Sequence, residues 1–249
     1  MNLCPADECL PCILSPGRLR SISLAALLAA GLMCATAQVR ADDPVADGQA
    51  EAGQKAAASI GRQIEPFTLK DWRGKEHSLA DYSRSPVLVV AFLGTECPLV
   101  RLYGPRLEEL AKEYEERGVA FLGVNANRQD SVTEMGAWAR EHGVTFPLLK
   151  DSGNRVADAF GAERTPEVFV LDAKRVVRYR GRIDDQYGVG YVRDEPRQRD
   201  LAEAVDDLLA GRPVGRPVTE TVGCHIGRIR TPQADSPVTY SREIARILQ

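Results

Sequence analysis

Val87-Leu88-Val89-Val90-Ala91-Phe92-Leu93-Gly94-Thr95-Glu96-Cys97-Pro98 is the stretch on which the fold turns. Its first part, Val87 to Leu93, is an unbroken apolar run of strand length, which predicts a central strand covered on both faces. Pro98 then opens a segment in which Leu99, Leu102, Leu107, Leu110 and Tyr114 recur at helical spacing as far as Arg117-Gly118. Cys97 therefore stands at a strand-to-helix junction, where unpaired N–H groups and the positive end of the helix dipole favour a thiolate, the reactive form. The competing reading is a small buried hydrophobe at a strand end, and the Glu96 carboxylate beside it favours that reading by opposing ionisation.

Downstream, Val119 to Val124 reads as a second buried strand, and Ser131 with Glu134 forms a capping box for a helix ending at His142-Gly143. Strand and helix in alternation is the rhythm of a parallel sheet. Phe146 to Leu149 is a short extended piece and Asn154 to Phe160 a short helix. Val168 to Leu171 and Val176 to Arg180 flank Asp172-Ala173-Lys174 as an antiparallel edge hairpin, and a helix carrying Leu201, Val205, Leu208 and Leu209 stops at Gly211. Upstream, Phe67 to Leu69 and His77 to Leu79 form a hairpin around Arg73-Gly74. Residues 60–211 thus make one α/β domain. Residues 42–59 lack an apolar period and read as a flexible lead-in; residues 212–249, punctuated by Pro213, Pro217, Pro232 and Pro237, read as an extended tail with the start of a C-terminal helix.

Lys and Arg number 32 against 35 Asp and Glu, a net charge of −3, which excludes a strongly basic nucleic-acid binder. Arg18 and Arg20, the apolar run from Ile22 to Met33 and Ala35-Thr36-Ala37 follow the order of an export signal, so residues 1–41 read as a signal peptide cleaved near Gln38 or Asp42. The apolar run is too short for a comfortable span, and no stable membrane span is expected once it is removed. Export to the periplasm or an equivalent oxidising compartment follows. Cleavage removes Cys4, Cys9, Cys12 and Cys34 and leaves Cys97 and Cys224.

On the order of its elements, the chain resembles the thioredoxin fold, an α/β architecture with a central mixed sheet flanked by helices, and Thr165-Pro166 occupies the place of that fold's cis-proline. More narrowly, Gly94-Thr95-Glu96-Cys97-Pro98, Asn125-Ala126-Asn127, Arg164-Thr165-Pro166-Glu167-Val168-Phe169 and Gly181-Arg182-Ile183-Asp184-Asp185-Gln186 are similar to the exported redoxins of the alkyl hydroperoxide reductase and thiol-specific antioxidant group. The resemblance implies a thiol-dependent oxidoreductase with antioxidant activity that reduces disulfides or peroxides, with Cys97 as nucleophile and Pro166 beside it.

Two departures keep both activities open. Val100 stands where a thioredoxin has its second cysteine, and Gly94 where a peroxiredoxin has threonine or serine, with Thr95 one place late. Cys224, in Val222-Gly223-Cys224-His225-Ile226-Gly227, has three open roles: a resolving thiol, an inert anchor, or with His225 a metal ligand. Arg164 is a candidate to stabilise the thiolate, with a plain exposed arginine as the equal alternative, and Arg101 is a weaker candidate; Asp184 and Asp185 read as turn formers, and Trp72 and Trp138 as packing residues. Two mature cysteines and three His make no zinc site, so neither metal nor cofactor is expected. The partners implied are a thiol or disulfide protein or a peroxide, with no nucleic acid. The segment from Pro237 to Gln249 resembles the opening helix of cytochrome c type domains that follow similar redoxin domains, which implies a haem-protein partner, although the chain has no C-x-x-C-H haem attachment. The alternative function is a non-catalytic binding or sensing module of an electron-transfer assembly.

Overall fold

The computed structural model describes residues 59–229 together with Ala245 and Ile247. The signal segment, the lead-in before residue 59, and Pro232 and Pro237 with the C-terminal helix start lie outside the described residues. The apolar run forms β3 (Leu88–Phe92), between the hairpin β1 (Thr68–Asp71) and β2 (Glu76–Ser78) upstream and β4 (Ala120–Asn125) and β5 (Leu148–Lys150) downstream. Between the strands lie α1 (Pro98–Glu115) and α2 (Val132–Glu141), followed by α3 (Arg155–Phe160). A pair of residues, β6 (Arg164–Thr165), precedes β7 (Glu167–Leu171) and β8 (Val177–Gly181); a small hairpin, β9 (Tyr187–Gly188) and β10 (Tyr191–Val192), leads to α4 (Asp200–Leu209), and β11 (Cys224–His225) lies in the tail.

The seven-stranded sheet runs β2-β1-β5-β4-β3-β7-β8. β3 pairs parallel with β4 and antiparallel with β7, so the sheet is mixed and β3 is central. Successive β3 side chains point to opposite faces. Val89 and Ala91 pack under α1, α2 and α4 with Val100, Leu107, Met135, Trp138, Leu201 and Val205. Leu88, Val90 and Phe92 pack on the other face with Val156, Phe160, Phe169 and, from the tail, Ile226. Phe92, Phe160 and Phe169 meet edge to face with centroids 5.1–5.6 Å apart, the arrangement that aromatic quadrupoles favour.

Both faces of β3 are covered, as its unbroken apolar run predicts. The buried stripe of α1 is shifted from the predicted one: Val100, Tyr103, Leu107, Leu110 and Tyr114 face the sheet, while Leu102 is 50% exposed. Ser131 and Glu134 cap α2 reciprocally, Ser131 Oγ accepting from Glu134 N at 3.2 Å and Glu134 Oε2 from Ser131 N at 2.7 Å. Trp138 is buried and stacks on His142. Among the described residues no helix is long and apolar enough to cross a membrane.

Candidate active site

The carboxyl end of β3 delivers Gly94 to Cys97 to one rim of the sheet, and α1 starts there. Cys97 is the residue that caps α1, in extended conformation, with Pro98 in the first turn, where its missing N–H costs nothing. The side chain is 3% exposed, and the thiol donates to the carbonyl of Thr165, 3.0 Å away. Thr165 precedes Pro166 across a cis peptide bond. The predicted neighbours Cys97, Thr165 and Pro166 are therefore brought together.

Cys224 joins them from the tail. β11 pairs antiparallel with β6, placing Cys224 opposite Thr165 and His225 opposite Arg164. Ile226 N extends the ladder to Glu163 O at 2.9 Å. Gly223 makes this approach feasible: its φ is +151°, and a Cβ there would stand 2.1 Å from Thr165 O. The tail is fastened beyond the thiols as well. Gly227 N donates to Asn127 Oδ1 and Ile229 N to Asn154 Oδ1, both at 2.9 Å, Arg128 N donates to Gly227 O at 2.7 Å, and Arg228 pairs with Asp158. Ile226 is 6% exposed, an apolar anchor at the end of the strand.

The electrostatics of the two thiols differ in direction. Burial by itself would raise the Cys97 thiol, but hydrogen bonds from the backbone N–H of Cys224 and of Val100, from the Cys224 thiol and from the Thr165 side chain outweigh it and hold Cys97 below its ordinary value. Cys224 is pushed up, first by burial and then by its hydrogen bond to Cys97 and the Cys97 charge, with the Arg164 charge opposing. Of the two, the buried Cys97 is thus the more readily ionised thiol and the exposed Cys224 the less. Arg164 differs from expectation in where it acts. Its Nη1 donates to Gly223 O at 2.9 Å, so it clamps the tail and favours ionised Cys224.

A polar floor supports the junction. Thr95 N, Asn125 Nδ2 and Asn127 Nδ2 all donate to Asp130 Oδ2, at 2.8, 2.6 and 3.2 Å. Lys150 Nζ donates to Asn125 Oδ1 at 3.0 Å and to the carbonyls of Asn127 and Asp130 at 2.6 Å. Burial lowers the Lys150 ammonium, against the attraction of Asp130, Asp151 and Glu134. Asn127 joins this floor to the tail through Gly227. The hydroxyls of Thr95 and Thr165 are buried without a well-formed hydrogen bond to a nitrogen or oxygen.

On the other side of Pro166, Glu167 Oε2 accepts from Glu163 N at 2.8 Å and Arg164 N at 3.2 Å, while its Oε1 takes Arg180 Nε at 2.6 Å. The loop carrying Thr165 is therefore tied to β8. Asp184 is a buried hub as well as a turn former: it accepts from Tyr103 Oη and Arg106 Nη1, each at 2.7 Å, and from Gln186 N at 2.9 Å. Asp185 accepts from Arg197 N and Gln198 N at 2.7 and 2.9 Å. Arg101 is exposed, and the described residues contain no group of three or more His, Cys, Asp or Glu positioned to hold a metal ion. Asp130, Lys150, Asn154, Glu167 and Arg180 are the supporting residues that the sequence reading passes over. Each also has a partner 13 to 75 positions away, at Thr95, Asp130, Arg180, Glu167 or Ile229, and no local pattern marks those contacts.

Comparison with known proteins agrees with this architecture. Residues 60–180 match the AhpC/TSA family. The thiol-disulfide oxidoreductase ResA of Geobacillus thermodenitrificans is 32% identical over 125 residues, 50% of this chain and 70% of that protein. The chloroplastic peroxiredoxin Q of Triticum aestivum is 30% identical over 120 residues, 45% of this chain and 54% of that protein. Among solved structures, a hypothetical protein of Sinorhizobium meliloti 1021 superposes with a TM-score of 0.64 at 34% identity, covering 69% of this chain and 96% of that one.

Proposed function

The chain belongs to the AhpC/TSA family and has the thioredoxin-like fold, and from that premise we propose that it is an exported two-thiol oxidoreductase in which Cys97 is the nucleophile and Cys224 the resolving thiol. One observation carries the reading: β11 holds Cys224 opposite Thr165, the residue whose carbonyl the Cys97 thiol reaches at 3.0 Å, so the two thiols converge on one backbone position. A thiol held at this position is placed to attack the Cys97 sulfur once it is oxidised. Thr95 and Pro166 shape the junction around Cys97, and Arg164 keeps the resolving strand in register.

With a peroxide, the Cys97 thiolate attacks one oxygen, the O–O bond breaks, and the leaving oxyanion takes up a proton. Cys97 becomes a sulfenic acid. Cys224 then attacks that sulfur, water departs after protonation, and a Cys97–Cys224 disulfide forms. With a disulfide, Cys97 attacks one sulfur and expels the other as a thiol; Cys224 attacks the mixed disulfide and releases the second thiol. Both routes end in the same internal disulfide, which an external dithiol protein returns to two thiols. Export is supported by the leader from Arg18 to Ala37.

Steady-state consumption of hydrogen peroxide or of a low-mass disulfide, with a dithiol protein as reductant, tests the reading. Cys97→Ser should abolish turnover, and Cys224→Ser should leave one rapid equivalent of oxidant consumed followed by slow turnover. The alternative, a non-catalytic module docking on a haem protein, draws on the 3% exposure of Cys97 and predicts that wild type and both variants behave alike.

A further inference from the structure

A sulfur that bonds to Cys97 must bring its own cysteine Cα to within about 4.4–6.8 Å of the Cys97 Cα. If that sulfur belongs to a polypeptide, its backbone comes with it, and the polar groups of that backbone need partners. The edge of β6 beside Cys97 is where such partners stand, because a strand edge is a template for an added strand. That edge is already occupied. Cys224 and His225 pair with Thr165 and Arg164, Ile226 N donates to Glu163 O at 2.9 Å, and the Arg164 guanidinium takes the Gly223 carbonyl. Next to this strand, Tyr103, Pro166, Ile183, Tyr187 and Val222 line a cavity of about 180 Å³, a volume on the scale of a small molecule.

We propose that residues 223–226 are a built-in occupant of the strand position that a polypeptide disulfide would need. With the tail docked, the site serves low-mass oxidants and excludes extended polypeptide disulfides. This deepens the two-thiol reading and rests on Cys97 being its nucleophile. Polypeptide substrates gain access only in the fraction of molecules whose tail has peeled away, and their rate falls by that fraction. Gly223 sets the fraction, since any side chain at that position would collide with Thr165 O.

The test uses the full chain with Cys4, Cys9, Cys12, Cys34 and Cys224 replaced by serine, so that Cys97 is the remaining thiol. Two probes with the same chromophoric leaving group are compared: dithiobis(nitrobenzoate), and an unstructured peptide whose cysteine carries a thionitrobenzoate. In each, the Cys97 thiolate forms a new S–S bond, the probe S–S bond breaks, and thionitrobenzoate leaves with the electron pair. Adding Gly223→Val should raise the ratio of the peptide rate to the small-probe rate by at least ~10-fold, as expected for a strand docked 90% of the time or more. A second variant, ended after Glu220, removes the strand and should raise the ratio as far or further. An unchanged ratio in both variants, with both probes reacting, overturns the proposal and leaves the two-thiol reading intact. If neither probe reacts with any variant, the two-thiol reading itself fails, and the proposal falls with it.

Discussion

Replacing Glu167 by alanine should cost more than any surface change in the molecule. Glu167 is 2% exposed and Arg180 4%, and Arg180 Nη1 already lacks a partner. Removing the carboxylate strands a buried guanidinium, a loss of about 3–5 kcal/mol. It also frees the N–H groups of Glu163 and Arg164 that fix the loop before Pro166. For a urea slope of roughly 2 kcal/mol/M, the unfolding midpoint should fall by about 1.5–2.5 M, read by circular dichroism and intrinsic fluorescence in parallel. Methionine at both 167 and 180 removes the stranded charge and should recover at least about half of that loss. The reasoning is refuted if Glu167→Ala unfolds within ~0.3 M of wild type, or if the double variant is no more stable than the single one.

The rate of iodoacetamide labelling at Cys97 should follow its thiolate, with an inflection below that of a free cysteine. Cys224→Ala, which removes one thiol donor, should move the inflection upward; a wild-type inflection at or above free cysteine would contradict the hydrogen-bond argument. Cys97 titrates lower folded than unfolded, so its ionisation contributes stability above the unfolded value that is lost as pH falls through the folded one. Cys224, shifted the other way, opposes this. Ile226→Ala should release the tail and not the domain: amide exchange should accelerate at Ile226 and Gly227 by about tenfold or more while the amides of β3 and β4 keep their protection, and uniform acceleration would show a global effect instead. In the oxidised protein, glutathione should attack Cys224, the exposed sulfur, and expel Cys97, the better leaving group. Rapid acid quenching and peptide mapping should find the adduct on Cys224, and an adduct on Cys97 would reverse the assigned roles.

The parts of this site that could be read in the sequence are those written over short distances. An unbroken apolar run fixes a central strand, Cys97-Pro98 fixes a helix start, and Ser131 with Glu134 fixes another. The shift of the α1 stripe from Leu102 to Val100 and Tyr103 was not legible, because aliphatic and aromatic positions there satisfy helical spacing in more than one register. The two-residue pairing of β6 with β11 is too short to show any periodicity, so in sequence Cys224 kept three open roles and could not be placed. The charges of Glu167, Arg180 and Asp130 look like ordinary surface charges in sequence and acquire meaning only when the chain folds over them, Glu167 against Arg180 and Asp130 under the Thr95 N–H. Arg164 shows the limit in the other direction: in sequence it was a candidate to stabilise Cys97 or a plain exposed arginine, and its guanidinium takes the Gly223 carbonyl of the tail.

The central claim is that Cys97 and Cys224 form one redox pair. The most direct measurement is intact-mass analysis and peptide mapping after one equivalent of hydrogen peroxide, for wild type and for Cys224→Ser. The account predicts a Cys97–Cys224 disulfide in wild type and a sulfenic acid on Cys97 in the variant. Both thiols remaining reduced, or a disulfide joining two chains instead of two ends of one site, would contradict it.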